Sequence, residues 1–376
     1  MVGAGVFGAW TAYSLLQSGA SVTLIDAYGA GNSRSSSGGE TRIIRMAYGP
    51  DAIYTRFALR ALGLWKEFFA EHGYPYFRPD GVLWMAKRDN PYARASMGVM
   101  REAGVRFDVL SPSELRRRYP QIQVAEDTGA IYESESGALM ARSAVEAVAE
   151  QFVKRGGRFV NALVRPPAGK GKLDAVRAAS GESIPADAFV FACGPWLPKV
   201  FPELLGNRIF PTRQEVIFFG PPAGDESFSP PKMPVWIDFS DNLGFYGFPN
   251  IDNRGFKVAF DKHGPPADPD NMERILGEDK LREARRYVAQ RFPALRNAPV
   301  IESRICQYEN TSNGDFLIDR HPSWDNVWLV GGGSGHGFKH GPAVGEYASE
   351  RVLKGGTIDQ RFSLATKNIR QNRAVY

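Results

Sequence analysis

The 376-residue sequence has only two cysteines, Cys193 and Cys306, too few for a disulfide framework and suited to a reducing compartment. It has no apolar run approaching about 18 residues, the length that argues a membrane-spanning helix. No charged-then-apolar leader precedes its first motif, and residues 373–376 are not a peroxisomal tripeptide, so the expected location is cytoplasmic with no membrane partner. A strong charge of either sign is missing as well: 46 basic against 41 acidic residues leave +5, dispersed along the chain. The nearest thing to a basic cluster, Arg116-Arg117-Arg118, follows Ser113-Glu114 on a short helical pattern and reads as a solvated face, so no nucleic-acid partner is expected. Repeats and low-complexity segments are absent. With 43% hydrophobic residues the chain can bury one large core or two interleaved ones.

What is present starts at Val2, where V-G-A-G-V-F-G leads into an apolar run over 9–16 closed by Gly19, and then S-V-T-L-I-D ending at Asp26. Glycine loop, helix, strand and terminal acid in that order are the dinucleotide-binding pattern of a βαβ unit. Gly3 allows the tight turn, Gly5 lets the backbone approach a pyrophosphate, and Gly8 lets the helix lie close to the sheet. The N–H groups of the first turn, at Val6 and Phe7, face the phosphates, and Asp26 is placed for ribose hydroxyls. About four or five apolar residues should precede Gly3 as the first strand. Only Met1 and Val2 stand there, so that strand is expected to begin before Met1.

The loop over 27–39 is rich in Gly and Ser and ends in S-S-S-G-G-E-T-R-I-I-R, where Ser36, Ser37, Thr41 and Arg42 offer a second set of contacts to phosphates or ring. A helix is expected over 54–72, with Phe57, Leu59, Leu62, Trp65, Phe68 and Phe69 on one apolar face. A strand over 81–86 and a helix over 90–104 follow, then a short helix capped by Ser111, with Pro112 at its first position and Glu114 closing a capping box. A helix over 142–155 leads to a buried strand ending A-C-G-P-W at Cys193, Gly194 and Trp196, which belongs to a parallel sheet again. The chain thus leaves the nucleotide domain and returns. Strands over 214–219, 235–239, 244–248, 255–260 and 301–308, with a helix over 279–292, make an antiparallel substrate domain. A last buried strand over 327–330 runs into G-G-G-S-G-H-G-F-K and a helix over 342–353.

Three separated segments then match one family: G-A-G-V-F-G with T-R-I-I-R, the strand I-C-Q-Y, and G-S-G-H-G-F-K. Together they resemble the monomeric sarcosine oxidases, within the FAD-dependent amine oxidases that include N-methyltryptophan, pipecolate and fructosyl amino acid oxidases. The phrase N-G-D-F-L-I-D-R-H-P-S from Asn313 looks most like the fructosyl amino acid branch. The resemblance runs essentially end to end. It implies FAD rather than NAD, a small amino acid substrate carrying a carboxylate, molecular oxygen as acceptor, hydrogen peroxide as product and a monomer. The fold expected is α/β, a Rossmann-like FAD domain over 1–78, 138–205 and 315–376, interleaved with an antiparallel-sheet substrate domain over 79–137 and 206–314.

Residue by residue, the resemblance places the FAD 8α-methyl on the sulfur of Cys306, while Cys193 reads as a small buried hydrophobe lining the cofactor site. Lys257 is the oxygen-activating lysine by resemblance; a structural pair with Asp261 is the plainer reading. Strand alternation sets Lys257, Ala259 and Asp261 opposite Phe256, Val258 and Phe260. Arg45 and Lys339 match the pair that grips the substrate carboxylate, Arg42 the arginine beside the flavin ring, and Tyr246 and Tyr308 the walls of the substrate cavity. Gly333, Gly335, His336, Gly337, Phe338 and Lys339 precede a helix N-terminus whose dipole suits negative charge on the reduced flavin. Gly38 and Asp261 stand where sarcosine oxidase has histidines, so a larger or more cationic amine than sarcosine is expected, with Gly38 opening volume. No general base is evident. The rivals are an FAD dehydrogenase passing electrons to a quinone or carrier protein, which Lys257 argues against, and a noncatalytic or RNA-modification accessory flavoprotein, which no added methyltransferase-like or basic domain supports.

Overall fold

The computed structural model describes residues 1–240 and 244–370; the 373–376 tripeptide reading lies outside them. No helix among the described residues is long and apolar enough to cross a membrane.

Two main sheets organise the chain. In the first, Val2 bridges Ile25 and Phe191 in parallel, so the residue before the glycine loop stands between strands Thr23–Asp26 and Phe189–Phe191. The order runs Arg158–Asn161, Thr23–Asp26, Val2, Phe189–Phe191, Val327–Gly331 and Leu317–Arg320, parallel except for the last pair. The expected return of the chain to this sheet is therefore realised: its strands come from three distant stretches. Helix Val6–Gln17 packs between helices Ala141–Lys154 and Gly341–Lys354. Trp10, Tyr13 and Phe68 meet edge to face, and Trp10 meets Trp65 the same way, which ties helix Ala52–His72 to the nucleotide unit. The helix's buried stripe is Ala58, Ala61, Leu62, Trp65, Phe68 and Phe69. Leu59 is an exception to the expected face; one residue past Ala58, it turns about 100° away and is exposed.

The second sheet has eight strands, in the order Val300–Thr311, Ile209–Phe219, Phe256–Phe260, Phe245–Phe248, Val235–Asp238, Val82–Lys87, Thr128–Glu133 and Asp108–Leu110. It is mixed rather than antiparallel, because Val235–Asp238 runs parallel to Val82–Lys87. Those two strands come from different excursions of the chain, and with no hairpin between them nothing imposes the antiparallel sense. Helix Glu278–Arg291 covers one face, its Tyr287 packing with Trp236, Phe245, Phe256 and Phe292. Phe256, Val258 and Phe260 enter that core, while Ala259 packs on the other face with Tyr246 and Cys306, as the period of two required.

A third, three-stranded sheet of Thr41–Ile44, Gly137–Met140 and Phe77–Arg78 supports the segment carrying Arg42 and Arg45. The capping box at Ser111 forms as expected, with Glu114 accepting from Ser111 N–H at 2.9 Å.

One buried ion pair holds the helix to the large sheet. Arg291 donates to Asp238 at 2.7 Å and to Ser240 at 2.9 Å, and Tyr287 donates to the same Asp238 oxygen at 2.8 Å. Removing one member strands a charge inside the core, so Arg291→Ala should lower unfolding stability by about 3–5 kcal/mol. Urea unfolding measures this; a loss under about 1 kcal/mol would show that water reaches Asp238 once the arginine is gone.

Candidate functional site

A cavity of about 410 Å³ runs from Asp26 and Tyr28, past Gly3, Gly5 and Val6, to Arg42, Tyr308 and Gly335. That volume lies in the range of roughly 300–1,000 Å³ typical of cofactor and ligand sites. At its mouth the three loop glycines divide the work as expected. Gly3 has φ of 99° and a Cβ there would collide with the Ala192 carbonyl; a Cβ at Gly8 would collide with the Gly3 carbonyl; but at Gly5 the nearest atom is Ser37 Oγ at 3.5 Å. Only Gly5 faces open space, the space a diphosphate needs.

Val6 and Phe7 line the cavity from the first turn of their helix, where Val6 N–H donates to Ser37 Oγ at 3.0 Å. The Asp26 carboxylate closes the loop by accepting from Ala4 N–H and Tyr28 N–H, each at 2.8 Å, and burial raises its pKa. Its remaining lone pairs stay available to hydroxyl donors. Cys193, Gly194 and Trp196 line the opposite wall. The Cys193 thiol points at the Val2 carbonyl, 3.6 Å away, and burial pushes its pKa up, in keeping with an inert packing role. Three lining residues carry buried polar atoms with no protein partner: Ser36 Oγ, Gln307 Oε1 and Glu309 Oε1. Such atoms are costly unless a ligand satisfies them, and a cofactor rich in hydroxyls, phosphates and ring heteroatoms fits the set.

At the far end Arg42 ties three segments together, donating to the Ser36 carbonyl at 2.6 Å, the Thr41 carbonyl at 2.8 Å and Cys306 Sγ at 3.3 Å. Thr41 and Cys306 stand just behind the wall that Arg42 forms. Tyr246 and Tyr308 share a hydroxyl contact at 3.3 Å, and burial raises both phenols, Tyr246 to about 12.

Lys257 is 2% exposed and donates to Thr41 at 3.0 Å (Oγ1) and 3.1 Å (carbonyl). Burial first, and then the Arg42 charge, bring its pKa down to about 7. Its flank opens on a second cavity of about 410 Å³ walled by Glu40, Phe218, Phe248 and Arg254. The alternative pairing with Asp261 does not form. Asp261 instead faces Arg45 and Lys339, whose charges oppose the burial that lifts its carboxyl to about 6.

Arg45 donates to the Ala47 carbonyl, and its guanidinium lies 4.3 Å from the Tyr48 ring centre and 4.8 Å from that of Trp84. Lys339 donates to Tyr48 Oη at 2.8 Å and to the His336 carbonyl at 2.9 Å; burial and Arg45 hold its pKa well below the usual lysine range. Arg213, Arg291 and Arg304 have carboxylate partners. Arg45, Lys257 and Lys339, all at most 7% exposed, have none among the described residues.

Two expectations need correction. Gly38 opens no volume: it is buried, and a Cβ there would run into the Asn32 carbonyl, so the missing side chain serves closure of the serine loop. The His336 imidazole turns away from the cavity, stacking on Phe316 and contacting the Gly314 carbonyl at 3.0 Å, so it is its neighbours Gly335, Gly337 and Phe338, with Gly333, that line the wall. Lys339 too stands behind that wall, with Trp65 Nε1 donating to its carbonyl at 3.0 Å. The turn Phe338–His340 then leads directly into helix Gly341–Lys354.

Three residues were missed. Tyr48 joins Arg45 and Lys339 and reaches His340 Nε2 at 2.7 Å; its place three residues after Arg45 was the available signal. Glu133 accepts from Met46 N–H at 2.7 Å and Ala47 N–H at 3.1 Å, fixing the bend that aims Arg45; no local pattern marks it. Glu309 directly follows Tyr308 and lines the cofactor cavity.

Residues 1–351 match the family described as FAD dependent oxidoreductase. The chain is 32% identical over 374 residues to a monomeric sarcosine oxidase of Bacillus sp. (strain B-0618), covering 95% of this chain and 92% of the relative. It is 27% identical to an N-methyl-L-tryptophan oxidase of Salmonella arizonae (strain ATCC BAA-731 / CDC346-86 / RSK2980), covering 94% of each. Among solved structures it superposes on L-proline dehydrogenase from P. horikoshii with a TM-score of 0.83 at 22% identity, covering 96% of this chain and 95% of that one. The fructosamine oxidase Amadoriase II from Aspergillus fumigatus superposes with a TM-score of 0.79 at 22% identity, over 99% and 90% of the two chains. Those structural likenesses speak for the shared fold, and the glycine loop, the unpartnered polar atoms and the sequence match together establish that the chain belongs to the FAD dependent oxidoreductase family.

Proposed function

We propose that the chain is an oxidase of N-substituted amino acids, oxidising the C–N bond to an imine that water hydrolyses, with oxygen reduced to hydrogen peroxide. Bound FAD supplies the two-electron acceptor and returns the electrons to oxygen. The observation that carries the reading is the pair of buried cations, Arg45 and Lys339, with no ion partner among the described residues and Tyr48 between them. Asp261 and Glu133 act on the two only through space, so neither Arg45 nor Lys339 has a hydrogen-bonded anion among the described residues, and a substrate carboxylate between them supplies one. Tyr246 and Tyr308 wall the pocket, and Lys257 keeps its charge on the side where electrons reach oxygen. The relatives named as sarcosine and N-methyl-L-tryptophan oxidases support the same chemistry. We read the protein as a cytoplasmic monomer with FAD attached through Cys306, its FAD domain formed by 1–78, 138–205 and 315–376 and its substrate domain by 79–137 and 206–314.

The preference for a substrate larger than sarcosine now rests on Asp261 rather than on Gly38. A carboxyl with a pKa of about 6, facing the carboxylate-binding cations, is ionised at neutral pH and accepts from an ammonium or from hydroxyls on the nitrogen substituent. It also supplies the proton acceptor that the sequence did not reveal.

Peroxide release across a panel of N-methyl, cyclic and fructosyl amino acids tests the assignment. A fructosyl or similarly polar amine should exceed sarcosine in kcat/KM, and Arg45→Ala should raise KM for the free acid by about 10–100-fold, the worth of a hydrogen bond to a charged group. Methyl esters performing as well as free acids would end the carboxylate assignment. Substrate-dependent dye reduction without peroxide would mark a dehydrogenase instead.

A further inference from the structure

Three acids line the cofactor cavity; Asp26 and Asp270 have hydrogen-bond donors on both carboxylate oxygens, and Glu309 does not. Glu309 is 8% exposed, lines the cavity, and has an Oε1 with no hydrogen-bond partner. Its side chain needs a glycine at 331, where a Cβ would collide with Oε1, and its Oε2 comes within 3.9 Å of where a Cβ on Gly194 would stand. The N–H groups of Gly332 and Gly333 face the carboxyl, and no cation pairs with it among the described residues. Across the cavity the Cys193 thiol feels its charge, together with those of Asp26 and the Met1 ammonium.

Place decides what this acid meets. The diphosphate end of the cavity is marked by Gly3, Gly5 and Val6, and the ring end by Arg42, Tyr308 and Gly335. Glu309 follows Tyr308 in the chain and touches the loop after Phe189–Phe191, the same loop whose Ala192 packs on Gly3, so it sits between the two ends. A bare carboxylate there would repel phosphate and gain nothing from the apolar ring edge. It is suited to hydroxyl donors. We propose that Glu309, as its carboxylate, anchors the hydroxyl-bearing ribityl chain of FAD and makes cofactor capture depend on pH.

The inference rests on the family's cofactor, not on the choice of substrate or electron acceptor. Burial raises the free carboxyl to about 7, opposed by the two glycine N–H groups. Ribityl hydroxyls that bind the anion lower that value in the complex. Affinity for FAD is then full above the free pKa and falls as pH drops below about 7, because the acid must give up a proton to bind.

The test uses the full chain carrying Cys306→Ser, so that flavin binds reversibly, and follows FAD fluorescence quenching from pH 5.5 to 8.5 beside ADP, which lacks the ribityl chain. Adding Glu309→Gln should weaken FAD by about 10–100-fold at pH 8 and flatten its pH dependence, leaving ADP unchanged. Equal losses for FAD and ADP would move Glu309 to the nucleotide end, and an unchanged FAD affinity and slope would reduce it to a lining residue; either overturns the proposal. Should the glutamine variant fail to fold, an FAD analogue deoxygenated in the ribityl chain decides on the Glu309-containing protein. The proposal requires that analogue to lose the rise in affinity with pH, and a rise equal to that of FAD refutes it. Neither substrate nor oxygen enters these titrations, so their outcome is independent of the oxidase assignment.

Discussion

Lys257→Met should slow reoxidation of the reduced flavin by oxygen about 10²–10³-fold, while reduction by substrate changes little. That is the usual cost of removing one preorganised electrostatic group from a site where charge develops. The ammonium is placed for the role: it is held by both oxygens of Thr41, lies 4.5 Å from the Phe248 ring centre and flanks a cavity of its own. No carboxylate is hydrogen-bonded to it among the described residues, and Glu40, on the wall of the same cavity, acts on it only through space. Its pKa of about 7 in the free protein adds a pH signature. The lysine is charged below that value and loses its proton as pH rises through it, and negative charge on the reduced cofactor moves the midpoint upward. The oxygen rate constant should therefore fall as pH rises beyond about 7 in the parent enzyme and stay flat in Lys257→Met. Stopped-flow traces with an unchanged oxidative half-reaction would return Lys257 to a structural role beside Thr41.

Cys306→Ser should release the flavin from denatured protein completely. The sulfur sits on strand Val300–Thr311, opposite Gln214, and is held against the cavity wall by the Arg42 guanidinium at 3.3 Å. A thioether survives acid precipitation and a noncovalent cofactor does not, so the parent protein's pellet stays yellow and the variant's colour moves to the supernatant. Parent protein that yields a colourless pellet would rule out attachment at Cys306. Arg42→Met is expected to lower the fraction of attached flavin, since the same guanidinium holds the serine loop and the sulfur together.

Local signals carried a long way. The glycine loop, the period-two strand around Lys257 and the capping box at Ser111 each rest on interactions within a few residues, and each appears as expected. The motif phrases pointed to Arg42, Arg45, Cys306 and Lys339 one by one, and the resemblance added Lys257. What no local pattern contained was their mutual arrangement: Lys257 turned to Thr41 rather than Asp261, and Asp261 joined Arg45 and Lys339.

The sequence by itself determined the nucleotide loop, the return of the chain to a parallel sheet and the residue types a flavin site needs, because steric and periodic constraints act between neighbours in the chain. Only the tertiary structure decided that Gly38 fills rather than opens space, that the large sheet is mixed, and that Tyr48, Glu133 and Glu309 belong to the site. Those outcomes depend on burial and on contacts between segments tens to hundreds of residues apart, where the charge on a side chain is set by what surrounds it and not by what precedes it.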